Sequence, residues 1–473
     1  MKRHYLLVIF ALIALPGCAV NPVSGRQDFV MMSESEEIAL GRKSDLEVRK
    51  QYGVYDSQKL QQYVDQVGQR LAANSHRSNL QYHFTVVDSP EVNAFALPGG
   101  YIYITRGILP YLGSEAELAA VLGHEIGHVT ARHAVKQYTA ATAANIGVQL
   151  ASIFVPEINT QAGYNLVNVA GSALLSGYGR EHELEADHLG AGYLAKTGYD
   201  PHAMMDVLAV LKNQEQFDIA QAKQEHREPR IYHGLFASHP DSDTRLQQVV
   251  GEASSLAISA NPVEGKAVYL EHVDGIAFGD SPSQGVVRNN EFLHAGLGIA
   301  LRFPMDWTVR NSPKKLFATS GNAAIELTLV EHFQGSPSDY LENNIGHGQL
   351  TTLTIHGLQG AILAASPTAE AAAIRMGANL FVITGTARSA PLFVAARSDI
   401  ETTIRSFHPL GASERKLAQG LKISIRHARS GDTFEGYAEK SPLGKNASGY
   451  LRLLNKAYPD GEPLAGEAVK LVE

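Results

Sequence analysis

From Ser114 to Gln137 apolar residues return every three or four positions. Leu118, Val121, Leu122, Ile126 and Val129 form one stripe, the period of a helix with a single face turned to a core. Ser114, followed three residues on by Glu117, reads as a capping box, and no proline interrupts the run. The acidic stretch from Arg180 to Asp187 predicts another helix. Alternation and β-branched content mark Phe84–Asp88 and Tyr101–Thr105 as strands joined through a Pro98, Gly99, Gly100 turn. The stretch Tyr138–Gly177 is rich in small and aliphatic residues, broken by Pro156 and a polar run to Gln161. Each half, about sixteen residues, is short for a membrane span. It predicts two apolar helices, either in the core or over a cleft. Beyond about residue 260, strands are predicted at Gly298–Pro304, Ala323–Val330 and Asn379–Thr384. Helices are predicted at Ser336–Asn344, with Ser336 as cap and Pro337 at the first helical position, and at Arg397–Phe407.

The first helix carries the chemistry. His124 and His128 are four apart and lie on one face, so two imidazoles can hold one metal ion. Glu125, one step round, points at the ion's open position, where a general base would act on water. An ion-free buried His-Glu-His cluster would carry a desolvation cost of several kcal/mol. Alanine, not histidine, stands at position 134, and His133, five steps from His128, is turned about 140° from the metal face of a continuous helix, which excludes it as a ligand. Glu183 and Asp187 share a face on the second helix. A carboxylate ligand and, four residues on, an aspartate accepting the ring N–H of a liganding histidine suit a metal centre. On the same geometry Glu181, His182, Glu185 and His188 project elsewhere, as a solvated face with ion pairs.

With these residues in place the chain resembles the gluzincin metallopeptidases of the HtpX, BepA and CAAX-prenyl-protease type. Val92–Arg106, Ser176–Gly190 and the His-Pro…Arg block Ser238–Arg245 are similar to further blocks of that family, over about residues 30–250. The resemblance implies one Zn2+ per chain on His124, His128 and Glu183, with Glu125 as catalytic base and Asp187 as the group that orients a ligand. It also brings His239 and Arg245 near the metal, His239 as a silencing fourth ligand or as an oxyanion donor. Asn93, Ala94 and Phe95 are candidates for main-chain pairing with an extended substrate, or belong to an ordinary structural hairpin.

The N-terminus adds location. A basic start at Lys2 and Arg3, an apolar run from Tyr5 to Leu15 and then Cys18, the only cysteine of the chain, look like a bacterial lipoprotein signal cleaved before Cys18 and acylated there. Ala19 in place of an aspartate implies outer-membrane sorting, facing the periplasm. The chain has 473 residues, 44% of them hydrophobic and 19% charged, enough for about three globular domains. A net charge of −8 and no basic stripe exclude nucleic acid as a partner.

The expected fold class is therefore α+β multidomain. A signal occupies residues 1–17 and a mainly helical zincin-type peptidase domain with a small β-sheet residues 18–260. An α+β domain over 261–410 follows, where Phe303–Trp307 resembles PsbP-type domains. The tail 411–473, with Gly431-Asp432-Thr433, is similar to LysM-like modules, with either a glycan-binding or a structural role. The expected function is a zinc metalloendopeptidase acting on misfolded or misassembled envelope proteins. Its expected partners are polypeptide substrates, the membrane through the lipid anchor, outer-membrane assembly machinery and peptidoglycan. The alternatives are an assembly factor or chaperone for outer-membrane proteins with secondary proteolysis, and a wall-binding scaffold.

Overall fold

The computed structural model of the chain describes residues 18–140, 142, 178–225, 259–312 and 315–473, with residues 18 and 19 described by backbone alone. The expected apolar helices after Ala140, together with His239 and Arg245, lie outside the described residues.

The chain opens with a small hairpin, β1 (Cys18–Val20) and β2 (Gln27–Phe29). Helix α1 (Glu34–Tyr52) follows, capped by Ser33: its hydroxyl accepts the Glu36 N–H while the Glu36 carboxylate accepts the Ser33 N–H. Helix α2 (Gln58–Ala72) buries Leu60, Val64, Val67 and Leu71 at helical spacing. A three-stranded sheet comes next, β3 (His83–Val87), β4 (Ala94–Leu97) and β5 (Tyr101–Thr105), in the order β3-β5-β4. Here the sequence reading needs correction. The Pro98–Gly100 turn joins β5 to β4, its antiparallel neighbour, whereas β3 pairs with β5 in parallel. The turn needs its glycines: Gly99 and Gly100 both have positive φ, and a Cβ on Gly99 would lie 2.7 Å from the Ile38 Cα.

Helix α3 (Glu115–Thr130) runs through the centre of this unit. Ser114 accepts the Glu117 N–H, and the Glu117 carboxylate accepts from the Gly113 N–H. The expected stripe is buried, but so is every other residue from Glu115 to Thr130, so the helix has no solvent face. Nor does it continue to Gln137. It stops at Thr130, Arg132 adopts φ 55°, and helical structure resumes over residues 133–140. The cause is long-range. The Arg132 guanidinium donates to the buried Glu37 carboxylate (2.9 Å) and to the Met32 carbonyl (3.1 Å), and Glu37 also accepts from Arg77 at 2.7 Å. These charge-assisted bonds offset a left-handed residue's cost of roughly 1–2 kcal/mol. Helices α4 (Arg180–Thr197), α5 (Ala203–Gln224) and α6 (Lys266–Val273) pack around α3.

The second unit is built on a seven-stranded sheet in the order β10 (Thr308–Asn311), β11 (Lys315–Ser320), β12 (Ala323–Val330), β16 (Asn379–Ala387), β15 (Ala369–Met376), β14 (Leu358–Ser366) and β13 (Gln349–Ile355), in which β12 and β16 contain two of the expected strands. Side chains alternate across it: Ala372, Ile374, Phe381 and Ile383 face one core, Ala371, Ala373, Leu380 and Val382 the other. Helix α7 (Pro337–Asn344) covers the second face through Leu341, and α8 (Ala390–Ser406) the first through Phe393, Ile400 and Ile404. Helix α8 begins seven residues before the expected Arg397, at the Ser389 cap with Pro391 in its first turn.

After α9 (Ala412–Leu417), the tail forms a βααβ unit. It consists of β18 (Leu421–His427), α10 (Phe434–Ala438), α11 (Ala447–Leu454) and β19 (Ala468–Val472). It does not hang free. Ile423, Phe434, Leu451, Leu454 and Val472 belong to the same core as α3, and β18 also pairs with β6 (Ala277–Phe278). The buried Lys470 Nζ donates to the Pro110 and Leu112 carbonyls at 2.7 Å each, and Lys456 pairs with Glu117 at the head of α3. No helix among the described residues is long and apolar enough to cross a membrane.

Candidate metal centre

Helices α3 and α4 touch backbone to backbone. A Cβ on Gly127 would lie 2.8 Å from the Ala186 oxygen, and one on Gly190 would lie 3.0 Å from the His124 nitrogen. Small residues at these crossings let the two helices approach closely enough for His124 and His128 on one to meet Glu183 on the other.

The three side chains converge. His124 Nε2 and His128 Nε2 are 3.0 Å apart, and each lies 3.5 Å from an oxygen of Glu183. Donors at zinc–ligand distances around a tetrahedral ion stand about 3.3 Å from one another. The triangle therefore fits such an ion, and the donor set, two imidazoles and a carboxylate, suits zinc. All three side chains are buried. His124 Nδ1 lies 2.8 Å from the Asp187 carboxylate, which can only accept. A ring proton thus sits on Nδ1, and Nε2 is the nitrogen left to face the site. Burial opposes charge on His124, but the Asp187 and Glu183 carboxylates outweigh it and lift its pKa to about 9. The pocket is electrostatically made for a cation. Glu125, beside the ligands, is fully buried.

His128 is oriented in a way the continuous-helix reading missed. Because the chain breaks at Arg132, His133 folds back instead of turning away. Its Nδ1 is 2.8 Å from His128 Nδ1, and its Nε2 is 3.0 Å from the Glu185 carboxylate. One proton arrangement satisfies all four atoms with the His128 Nε2 lone pair left for a metal: His128 Nδ1–H donates to His133 Nδ1, and His133 Nε2–H donates to Glu185. That arrangement requires a neutral His133, and burial pushes its pKa down to about 4. The hydrogen bond from His133 in turn lowers the pKa of Glu185.

His133 thus stands outside the His124, His128 and Glu183 group and hydrogen-bonds to one of its members, His128. Glu185, assigned to a solvated face, is the anchor of that relay, and His182 stacks on His133 with ring centroids 4.2 Å apart. Glu181 and His188 are exposed, as the spacing implied. Tyr178 was not anticipated at all. Its ring stacks on His128 at 4.0 Å, and its phenol pKa is raised, by burial first and then by the Glu125 and Glu183 charges.

Of the substrate-strand candidates, Ala94 and Phe95 lie on β4, an edge strand packed against α3, and Asn93 immediately precedes it. The Asn93 carbonyl accepts from the Thr105 N–H and hydroxyl, so its acceptor is engaged within the sheet.

Residues 58–253 match the family model described as Peptidase family M48. Over 269 residues the chain is 30% identical to a "Beta-barrel assembly-enhancing protease" of Yersinia pestis, covering 54% of this chain and 51% of that protein. Over 187 residues it is 34% identical to a "Mitochondrial metalloendopeptidase OMA1" of Schizosaccharomyces pombe, covering 38% and 54% respectively. The chain spans about half the length of the curated relatives it matches. A solution structure of cyanobacterial PsbP from Synechocystis covers 26% of this chain and 95% of its own, at TM-score 0.21 and 12% identity, too distant to bear on the second unit.

Proposed function

We propose, from the match of residues 58–253 to the Peptidase family M48 model, that the chain is a zinc-dependent metalloendopeptidase of the bacterial envelope, lipid-anchored at Cys18. The observation that carries this reading is the triangle of His124, His128 and Glu183 beside a buried Glu125. When bound there, zinc would polarise the scissile carbonyl and acidify the attacking water. Glu125 takes the water's proton and delivers it to the leaving amine. Asp187 and the His133–Glu185 pair hold the two ligand rings in the tautomer that binds metal. The free edge of β4 is the place where an extended peptide would pair through its main chain, beside Ala94 and Phe95.

The substrate class is misfolded or misassembled envelope proteins, in line with the name of the Yersinia pestis relative. His239 and Arg245 are proposed as residues that reach the metal from the downstream His-Pro…Arg block, His239 in a silencing role. The tail is proposed as a LysM-like module, and peptidoglycan as its ligand. The second reading is an assembly factor or chaperone whose action does not require hydrolysis. Glu125→Gln in cells separates the two. A peptidase loses function and retains uncleaved envelope proteins that co-purify with the variant. A chaperone or scaffold keeps its function.

A further inference from the structure

The N-terminal hairpin is inside out. In β2 the polar Asp28 points inward, ion-paired to Lys136 at 3.2 Å and accepting from Asn21 at 2.7 Å. Its neighbour Phe29 points outward and is 62% exposed. The backbone register sets Val20 opposite Gln27 and position 18 opposite Phe29, so Val20 shares the outer face with Phe29 and is 59% exposed. The alternation continues past the strand. Val30 and Met32 turn in and pack on Val135, whereas Met31 turns out. The Met31 N–H donates to Thr139 at 3.0 Å, which brings Tyr138, also exposed, alongside. Four large apolar side chains are thus exposed on this segment, with Gln27 beside Val20 and Phe29 on the outer side of the hairpin, and the segment is firmly built. Asn21 closes the hairpin turn by accepting from the Val23 and Ser24 N–H groups, and the inner side chains are buried.

The segment has two surroundings, one for each face: Val30 and Met32 pack inward, and the exposed side chains lie outside. The inner one is the protein. We propose that the outer one is a lipid bilayer: the face made by Val20, Phe29, Met31 and Tyr138 rests in the membrane surface into which the acyl chains on Cys18 insert. This rests on the acylation of Cys18 proposed above. Position 18 is itself the first residue of β1, paired with Phe29, so the hairpin leaves no slack between the acylated residue and the folded body. A lipid anchor there brings this face to the headgroups, where each large apolar side chain leaving water favours contact roughly tenfold or more. The same strap grips the segment that carries His133, through Val135, Lys136 and Arg132. The metal centre is thereby held close to the membrane surface.

The test uses the full acylated chain on vesicles of phosphatidylethanolamine and phosphatidylglycerol. Phe29→Trp should be quenched by brominated lipid, and Val394→Trp, on the exposed face of α8, should not. With Val20, Phe29, Met31 and Tyr138 all unsubstituted, Met31 should be oxidised by peroxide at least fivefold more slowly on vesicles than in the vesicle-free Cys18→Ser chain. Met305 should oxidise equally fast in both. Unquenched Phe29→Trp, or equal Met31 oxidation in the two states, overturns the proposal. Mass spectrometry of the N-terminus judges the anchor separately. An unacylated chain with a quenched Phe29→Trp keeps the lipid-facing surface and loses the anchor, while an acylated chain with an unquenched one loses the surface alone.

Discussion

The ligand spacing depends on Gly127. A Cβ there would lie 2.8 Å from the Ala186 oxygen and 3.0 Å from its Cα, where ordinary contact begins at 3.4 Å. The obstacle is helix backbone, so α3 and α4 must part by about 0.6 Å to admit a methyl group. Glu183 stands on α4 one turn before Ala186 and moves with it. Metal sites tolerate about 0.2 Å in ligand distance, a third of that displacement. Overpacking alone costs roughly 1–3 kcal/mol, which at about 2–4 °C per kcal/mol in a domain of this size is several degrees of melting temperature. Gly127→Ala should therefore retain less than one zinc per chain after dialysis against a weak chelator and melt several degrees lower. Gly192→Ala, on the facing helix α4 but with nothing within 4 Å of the added Cβ, should keep its zinc and gain up to about 1 kcal/mol of stability. Full zinc occupancy and an unchanged melting temperature in Gly127→Ala would refute the view that this crossing sets the site.

Three further outcomes are expected. Glu183→Ala should strip the metal, His133→Ala and Glu185→Ala should each weaken zinc affinity about 10- to 100-fold, and Glu181→Ala should leave it unchanged in competition titrations. His239→Ala should raise proteolysis, self-cleavage included, in a gel-based assay; a fall of about a hundredfold would make His239 an oxyanion donor instead. Lys470, pushed down to about 7 by burial against its ordinary 10.5, binds fewer protons folded than unfolded between those values. Its contribution to stability should therefore rise with pH from about 7 to about 10.5, and Lys470→Met should flatten that part of the denaturation profile. An unaltered slope would show that this lysine is charged in the folded state.

What the sequence disclosed and what it hid divide by distance along the chain. His124, Glu125 and His128 are legible because a four-residue spacing on a helix fixes their faces whatever surrounds them. Glu183 and Asp187 follow by the same rule, since one helical turn separates them. His133 was misplaced because Arg132 leaves the helix to reach Glu37, a partner 95 positions away that no local pattern announces. Glu185 was misread with it, since its partner could be known only once the break was. The Pro98–Gly100 turn was recognised, but which strand it served was not, because parallel pairing of β3 with β5 carries no local mark. Helix α8 is a different case. Its start is marked locally, by Ser389 at the cap and Pro391 in the first turn. The docking of the tail on α3 through Lys456 and Lys470 joins residues more than 300 positions apart and is visible only in the fold.

Hydrolysis and metal content measured on the same purified Glu125→Gln sample test the central claim most directly. The wild type should cleave an unstructured protein substrate, lose that activity to a chelator and regain it with zinc. Glu125→Gln should hold about one zinc per chain and cleave nothing above background, since Glu125 acts on the water and not on the metal. Cleavage by a zinc-loaded Glu125→Gln chain would contradict the account.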